Sequence, residues 1–254
     1  MRISRLLRTT WLYQHLRKGY LSWRNWQHKQ RMCRFYSQFI PCNGLCFDIG
    51  ANVGHRTACF LRLQAQVVAV EPLAEQAAVL YRRWSANPKL TVLEAALGSC
   101  ETTAILRVCT PSSFSSLSAP WLEITDRTAR FPSRKVVEDR LVPVTTLDKL
   151  IDRFGVPDFI KIDVEGGELE VLGGLSRLVP ALSFEYHLLT PQQIGTCLKR
   201  LLEIGPLIVN YSRGESMVLA MEEWVEVNQL LDHLISSAEK NPRGWGDVYV
   251  RFVT

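Results

Sequence analysis

Acidic residues are missing from the first 40 positions, which carry nine Lys or Arg. The formal charge of the 254-residue chain is +5, so the remainder, with 21 basic and 25 acidic residues, stands at −4. Basic character is thus a property of one end, where it could attract nucleic acid, an anionic membrane surface or an acidic part of the same chain. No run approaches the roughly 18–20 apolar residues of a spanning helix. The basic start is not followed by the apolar stretch of about 7–15 residues that a signal peptide needs. The seven cysteines are odd in number and follow no repeat; only Cys42 and Cys46 lie close together, and no second pair or His-x-x-x-His completes a zinc site. They read as mostly buried thiols in a reducing cytoplasm. With 47% apolar and 22% charged residues and no internal repeat, one large globular domain is the default.

Within the basic end, Trp11, Trp23 and Trp26 are interleaved with the charges, a pattern that suits an interface between apolar and wet surroundings. Ile3, Leu7 and Trp11 fall on one side of a helix, whereas Leu16, Tyr20 and Trp23 fall on nearly the opposite side. Two short helical pieces with a break near Gly19 are expected. The division predicted is a basic helical extension over 1–43, docked on the domain or on a membrane surface through residues 1–40, and a folded domain over 44–254. A cytoplasmic location, peripheral to a membrane if that contact forms, is the corresponding expectation.

From residue 44 strands and helices alternate. Leu45–Ile49, Val67–Val70 and Leu90–Leu93 read as strands, with helices after Gly54 and over 73–86, the pattern of parallel strands joined by crossover helices. The stretch 110–135, rich in Ser and broken by Pro111, Pro120 and Pro132, reads as a long loop or lid. Leu141–Val144 is expected as an edge strand and residues 146–151 as a short helix. Strands are expected over 158–163, 179–187 and 207–210, helices over 191–203 and 222–237, and a closing strand over 248–252.

Chemistry concentrates at the ends of three strands. In Phe47-Asp-Ile-Gly-Ala-Asn-Val-Gly-His55, Gly50 and Gly54 let the backbone turn sharply and approach a ligand, on the side of the sheet where doubly wound folds bind theirs. A dinucleotide oxidoreductase would carry Gly-x-Gly-x-x-Gly here to seat a pyrophosphate. This chain instead has Asp48, Gly50, Asn52 and Gly54, with an acid inside the motif that would repel a pyrophosphate and suits a cationic amino-acid ligand. Glu71 follows the second strand directly, where a carboxylate can accept both hydroxyl hydrogens of a ribose. S-adenosylmethionine, with a sulfonium, an ammonium and no phosphate, fits that combination.

Lys161-Ile-Asp-Val-Glu-Gly166 is the second constellation. Alternation sends Lys161 and Asp163 to one face, where they are either a structural ion pair or part of a site, with Glu165 beside them. Two buried charges must be satisfied in some way, because burying them unpaired costs several kcal/mol. On the next strand Glu185 and His187 share a face, and His187 is a candidate general base. A divalent ion bridging Asp163 and Glu185 is conceivable, but no ligand set follows from the sequence and no metal ligands are assigned.

Together these segments resemble the FkbM family of S-adenosylmethionine-dependent methyltransferases. The resemblance covers roughly residues 44–190 and rests on the Asp48–Gly54 turn, Glu71-Pro72, Ala95-Ala-Leu-Gly98, the Ser112–Ser118 segment, Thr146-Leu-Asp148 and, most specifically, Lys161–Gly166 followed by Glu168 and Leu169. Gly167 stands where the family usually has Ala. The resemblance implies a class I methyltransferase fold: α/β and Rossmann-like, with a seven-stranded, mostly parallel sheet, an antiparallel last strand and helices on both faces. It implies methyl transfer to a hydroxyl of a sugar, glycan or secondary metabolite. By the same carry-over, Asp48, Gly50, Asn52 and Gly54 surround the methionine part of S-adenosylmethionine, Glu71 takes the ribose, and Pro72, Ala95 and Ala96 lie beside the adenine. Asp163 borders the methyl donor, and Asp163, Glu165 or His187 accepts the alcohol proton.

Three alternatives remain at this level: a nucleic-acid methyltransferase using the basic end, a binding module that has lost its chemistry, and an NAD-dependent oxidoreductase. The acidic body and the lack of an Asn-Pro-Pro-Tyr signature make nucleic acid an unlikely partner, and a small-molecule or glycan acceptor is expected. The oligomeric state is not legible.

Overall fold

The computed structural model describes residues 26–253. Trp11, Trp23 and the break expected near Gly19 lie outside the described residues.

Seven strands form the main sheet: β1 (Leu45–Ile49), β2 (Gln66–Val70), β3 (Leu90–Leu93), β7 (Phe159–Ile162), β8 (Ala181–His187), β9 (Leu207–Tyr211) and β10 (Trp245–Phe252). Their order is β3-β2-β1-β7-β8-β10-β9. All neighbours run parallel except β10, which is antiparallel to both β8 and β9. The central strands are buried on both faces, which is why they read as continuous apolar runs rather than alternating ones.

The two faces are covered by different helices. A helix over residues 26–36, here α1, and α2 (His55–Arg62) pack on the face that carries Cys46, Val67, Phe159 and Tyr249. α3 (Ala74–Trp84) covers Ala69 on the same side. On the opposite face, α5 (Leu147–Phe154), α6 (Glu168–Gly173), α7 (Pro191–Leu202) and α8 (Val227–Lys240) share the larger cluster with Phe47, Ile49, Ile160, Ile162, Phe184 and Val250. Phe39, just beyond α1, stacks on Phe159 at 5.1 Å and on Tyr249 at 5.3 Å, so the segment 26–40 shares one core with the sheet.

The region expected as a loop over 110–135 is structured. β5 (Thr102–Thr110) runs into a 3-10 turn over Ser112–Phe114, then α4 (Ala119–Arg127), and β6 starts at Lys135. Ser118 caps α4 by accepting a hydrogen bond from the Trp121 N–H at 3.3 Å, and Pro120 sits in the first turn, where a missing N–H costs nothing. Pro120 therefore marks a helix start rather than a break. The edge strand expected at 141–144 is the end of the eleven-residue β6 (Lys135–Thr145), which lies in the middle of a three-stranded sheet between β4 (Ala96–Leu97) and β5. The outer half of β6 is exposed and so lacks the alternation that reveals a half-buried strand. The helix expected at 222–237 starts later, at Val227, because Val225 forms a bridge with Val209.

Candidate active site

The turn after β1 is fixed by backbone contacts. The N–H groups of Gly50 and Ala51 both donate to the Val70 carbonyl at 3.0 Å, and the Asp163 N–H donates to the Ile49 carbonyl at 3.0 Å. Gly50 has φ +79°, and a Cβ there would stand 1.8 Å from the Asp163 carbonyl oxygen, so only glycine lets β1 and β7 end side by side. Gly54, at φ +83°, begins α2; a Cβ would stand 2.5 Å from Leu80, which makes this glycine a seat for α3 rather than a wall of the cavity. Asp48 is buried and accepts the Thr57 hydroxyl at 2.5 Å, tying the turn to α2. Burial pushes its carboxyl up, against the pull of Thr57 and Lys161.

Glu71 closes the other side of the turn. One oxygen accepts from the Asn52 N–H at 2.8 Å and the other from the Leu73 N–H at 2.9 Å. Burial outweighs these two donors and raises the carboxyl to about 7.

At the end of β7, the fully buried Lys161 pairs with Asp247 at 2.9 Å and Asp163 at 3.2 Å. Asp163 thus belongs both to an ion pair and to the cavity it partly faces. Burial would raise its carboxyl, but the Lys161 ammonium and the Arg56 guanidinium hold it below the usual carboxylate value. Glu165 adopts φ +54°, and its carbonyl accepts the Ser116 hydroxyl at 2.6 Å. Its side chain accepts from the Trp121 indole N–H at 3.3 Å. Burial, followed by Glu185 and Asp163 as like charges, drives its carboxyl well above the ordinary range. Glu168 accepts the N–H groups of Val164 and Gly166, which holds the loop closed beneath these carboxylates.

His187 stacks on Trp121 with ring centres 4.3 Å apart, and its Nε2 lies 3.1 Å from Glu185. Burial first, and Arg130 with it, lower the imidazole to about 4, although Glu168 and Asp163 pull the other way. It is therefore neutral at neutral pH.

These elements enclose a cavity of about 500 Å³ at the carboxyl ends of the strands. Among the residues singled out from sequence, Gly50, Asn52, Glu71, Pro72, Ala95, Ala96, Asp163 and Glu165 line it, while Asp48, Gly54 and His187 do not. Ser112, Ser113, Ser115, Ser116 and Ser118 form the facing wall. Sequence reasoning missed Trp121, which bridges Glu165 and His187, and Asp247, which shares Lys161. The sequence signal for the latter is slight: an acid directly before the closing strand expected over 248–252, which in the structure begins at Trp245 and includes it.

The strand order with its single antiparallel strand, and a cavity at the carboxyl ends of the strands bounded by the Gly50 turn and Glu71, are those of a class I S-adenosylmethionine-dependent methyltransferase. The description "Methyltransferase FkbM domain" matches residues 48–234, and the chain belongs to that family. Solved structures similar in fold include the precorrin-6y C5,15-methyltransferase of Geobacter metallireducens GS-15 (12% identity, 87% of this chain and 86% of that chain, TM-score 0.46). The TehB-like methyltransferase of Corynebacterium glutamicum ATCC 13032 Kitasato is another (11%, 94% and 98%, TM-score 0.42). Comparison with curated proteins finds no match. Among the described residues no helix is long and apolar enough to cross a membrane.

Proposed function

We propose that this methyltransferase transfers a methyl group to a hydroxyl oxygen of a sugar, glycan or other small metabolite. The observation that carries this reading is the carboxylate pair Asp163 and Glu165 on the cavity wall, one held ionised beside Lys161 and the other desolvated. An alcohol must lose its proton as the new bond forms, and two carboxylates of different proton affinity beside the reacting centre suit that task.

The residues present fit S-adenosylmethionine: Glu71 offers lone pairs to a ribose, and Pro72, Ala95 and Ala96 make a small apolar slot for a flat base. When bound, the cofactor supplies a methyl group already activated on a sulfonium. The chain's own work is then alignment, water exclusion and proton removal. Asn52 and Glu71 bind and orient. The serine wall, held to the catalytic loop through Ser116, shuts out solvent. Asp163 and Glu165 receive or hold the proton.

The test is mass spectrometry of surface glycans and small metabolites from cells with and without the protein. A product one methyl group heavier on oxygen is expected; finding the added methyl only on nucleic acid would overturn the reading. In vitro, Asp163→Asn should lower kcat by about 10²- to 10⁴-fold while binding of S-adenosylhomocysteine persists.

A further inference from the structure

Glu165, Glu185 and His187 each place one ligand-type atom within 4.8 Å of the other two. A four- to six-coordinate ion with bonds of about 2.0–2.2 Å holds its donors about 3–4 Å apart, so a small contraction of the cluster suffices. The Glu185 and His187 side chains are only 8% and 7% exposed. Their facing atoms, Oε2 and Nε2, are 3.1 Å apart, yet neither has a hydrogen-bond partner among the described residues. Buried polar atoms are normally satisfied, and two aimed at one point without partners mark a missing occupant.

The occupant's sign follows from the surroundings. Asp163 and Glu168 act as like charges on both Glu165 and Glu185, against the cations Lys161 and Arg130 and, at Asp163, Arg56. Lys161 is already shared between Asp163 and Asp247. The frame is rigid, because Trp121 stacks on the imidazole and holds Glu165 through its indole N–H.

We propose that Glu165, Glu185 and His187 bind one divalent transition-metal ion of the manganese or zinc type, behind the stretch of the methyl-transfer cavity that Glu165 lines. Two carboxylates with one imidazole form a mixed oxygen and nitrogen set that suits these ions. Three protein ligands leave a position for an acceptor hydroxyl, whose proton is lost more readily on a metal; this use rests on the hydroxyl-acceptor reading above, whereas the binding site does not. Coordination through Nε2 requires the proton on Nδ1, which lies 3.4 Å from Arg130 Nη2. Two donors would then face each other, so the Arg130 guanidinium opposes the ion and must swing aside.

The test is titration of the full chain with Mn²⁺, followed by calorimetry and electron paramagnetic resonance, with Zn²⁺ as competitor and S-adenosylhomocysteine titrated in parallel. One Mn²⁺ per chain is expected, bound at least about tenfold more weakly by Glu185→Gln and His187→Ala and more tightly by Arg130→Ala. Absence of Mn²⁺ and Zn²⁺ binding to the unaltered chain overturns the proposal, as does binding that both ligand variants leave unchanged. If S-adenosylhomocysteine binds and no metal does, the metal site alone fails. If metal binds and S-adenosylhomocysteine does not, the methyl-transfer reading fails instead.

Discussion

Glu71 carries a consequence in pH. Its carboxyl sits at about 7 in the folded chain against an ordinary 4.5, so the folded state holds a proton that the unfolded chain has released across that interval. Its contribution to stability is therefore lost progressively as pH rises from about 4.5 to about 7. Urea denaturation at pH 5 and pH 8 should show this loss in the wild type and a smaller one in Glu71→Gln. The same substitution should weaken S-adenosylhomocysteine binding by about 10- to 100-fold, the worth of hydrogen bonds to a charged acceptor. Lys161→Met leaves buried Asp247 without its partner at 2.9 Å and should cost about 3–5 kcal/mol in equilibrium unfolding. Asp48 and Glu71 stand out in the sequence because each follows an apolar run, and Asp163 and Glu165 because they close the charged Lys161–Gly166 segment. Trp121 and Asp247 do not, since what they touch lies 44 and 86 residues away.

At the scale of elements, α4 and the β5–β6 pair are where local pattern misled. Ser118 and Pro120 form a good helix start, but among the six serines and three prolines of residues 110–135 they read as loop. Gly166 shows why the helix sits where it does: at φ +92° it leaves room for Trp121, whose Cβ a side chain at 166 would approach to 2.4 Å. Ser118→Ala should remove the cap and cost about 1 kcal/mol. Hydrogen exchange would report it as faster exchange of α4 amides, with β1 and β7 amides unchanged; equal acceleration throughout would deny α4 this local role. The parallel strands, by contrast, were legible from their apolar runs, since burial on both faces leaves no other composition workable.

On the scale of the whole molecule, the described part of the basic end, residues 26–40, and the domain meet in one core. Phe39 stacks between Phe159 and Tyr249, and Tyr36 packs edge-on against Phe60. Phe39→Ala should cost about 3–5 kcal/mol by denaturant unfolding, in the range for a large aromatic removed from a core. A much smaller loss would mean that α1 adds little to the domain. The sequence by itself determined the alternation of strands and helices, the acidic glycine turn, the position of Glu71 directly after its strand and the Lys161–Gly166 segment, because each is written in residues adjacent along the chain. Only the tertiary structure decided which of those residues line the cavity, that Lys161 is divided between Asp163 and Asp247, and that Glu165, Glu185 and His187 converge. The reason is physical: burial, charge pairing and proton affinity depend on neighbours in space, and those neighbours come from β7, β8, β10 and α4, elements far apart in the chain.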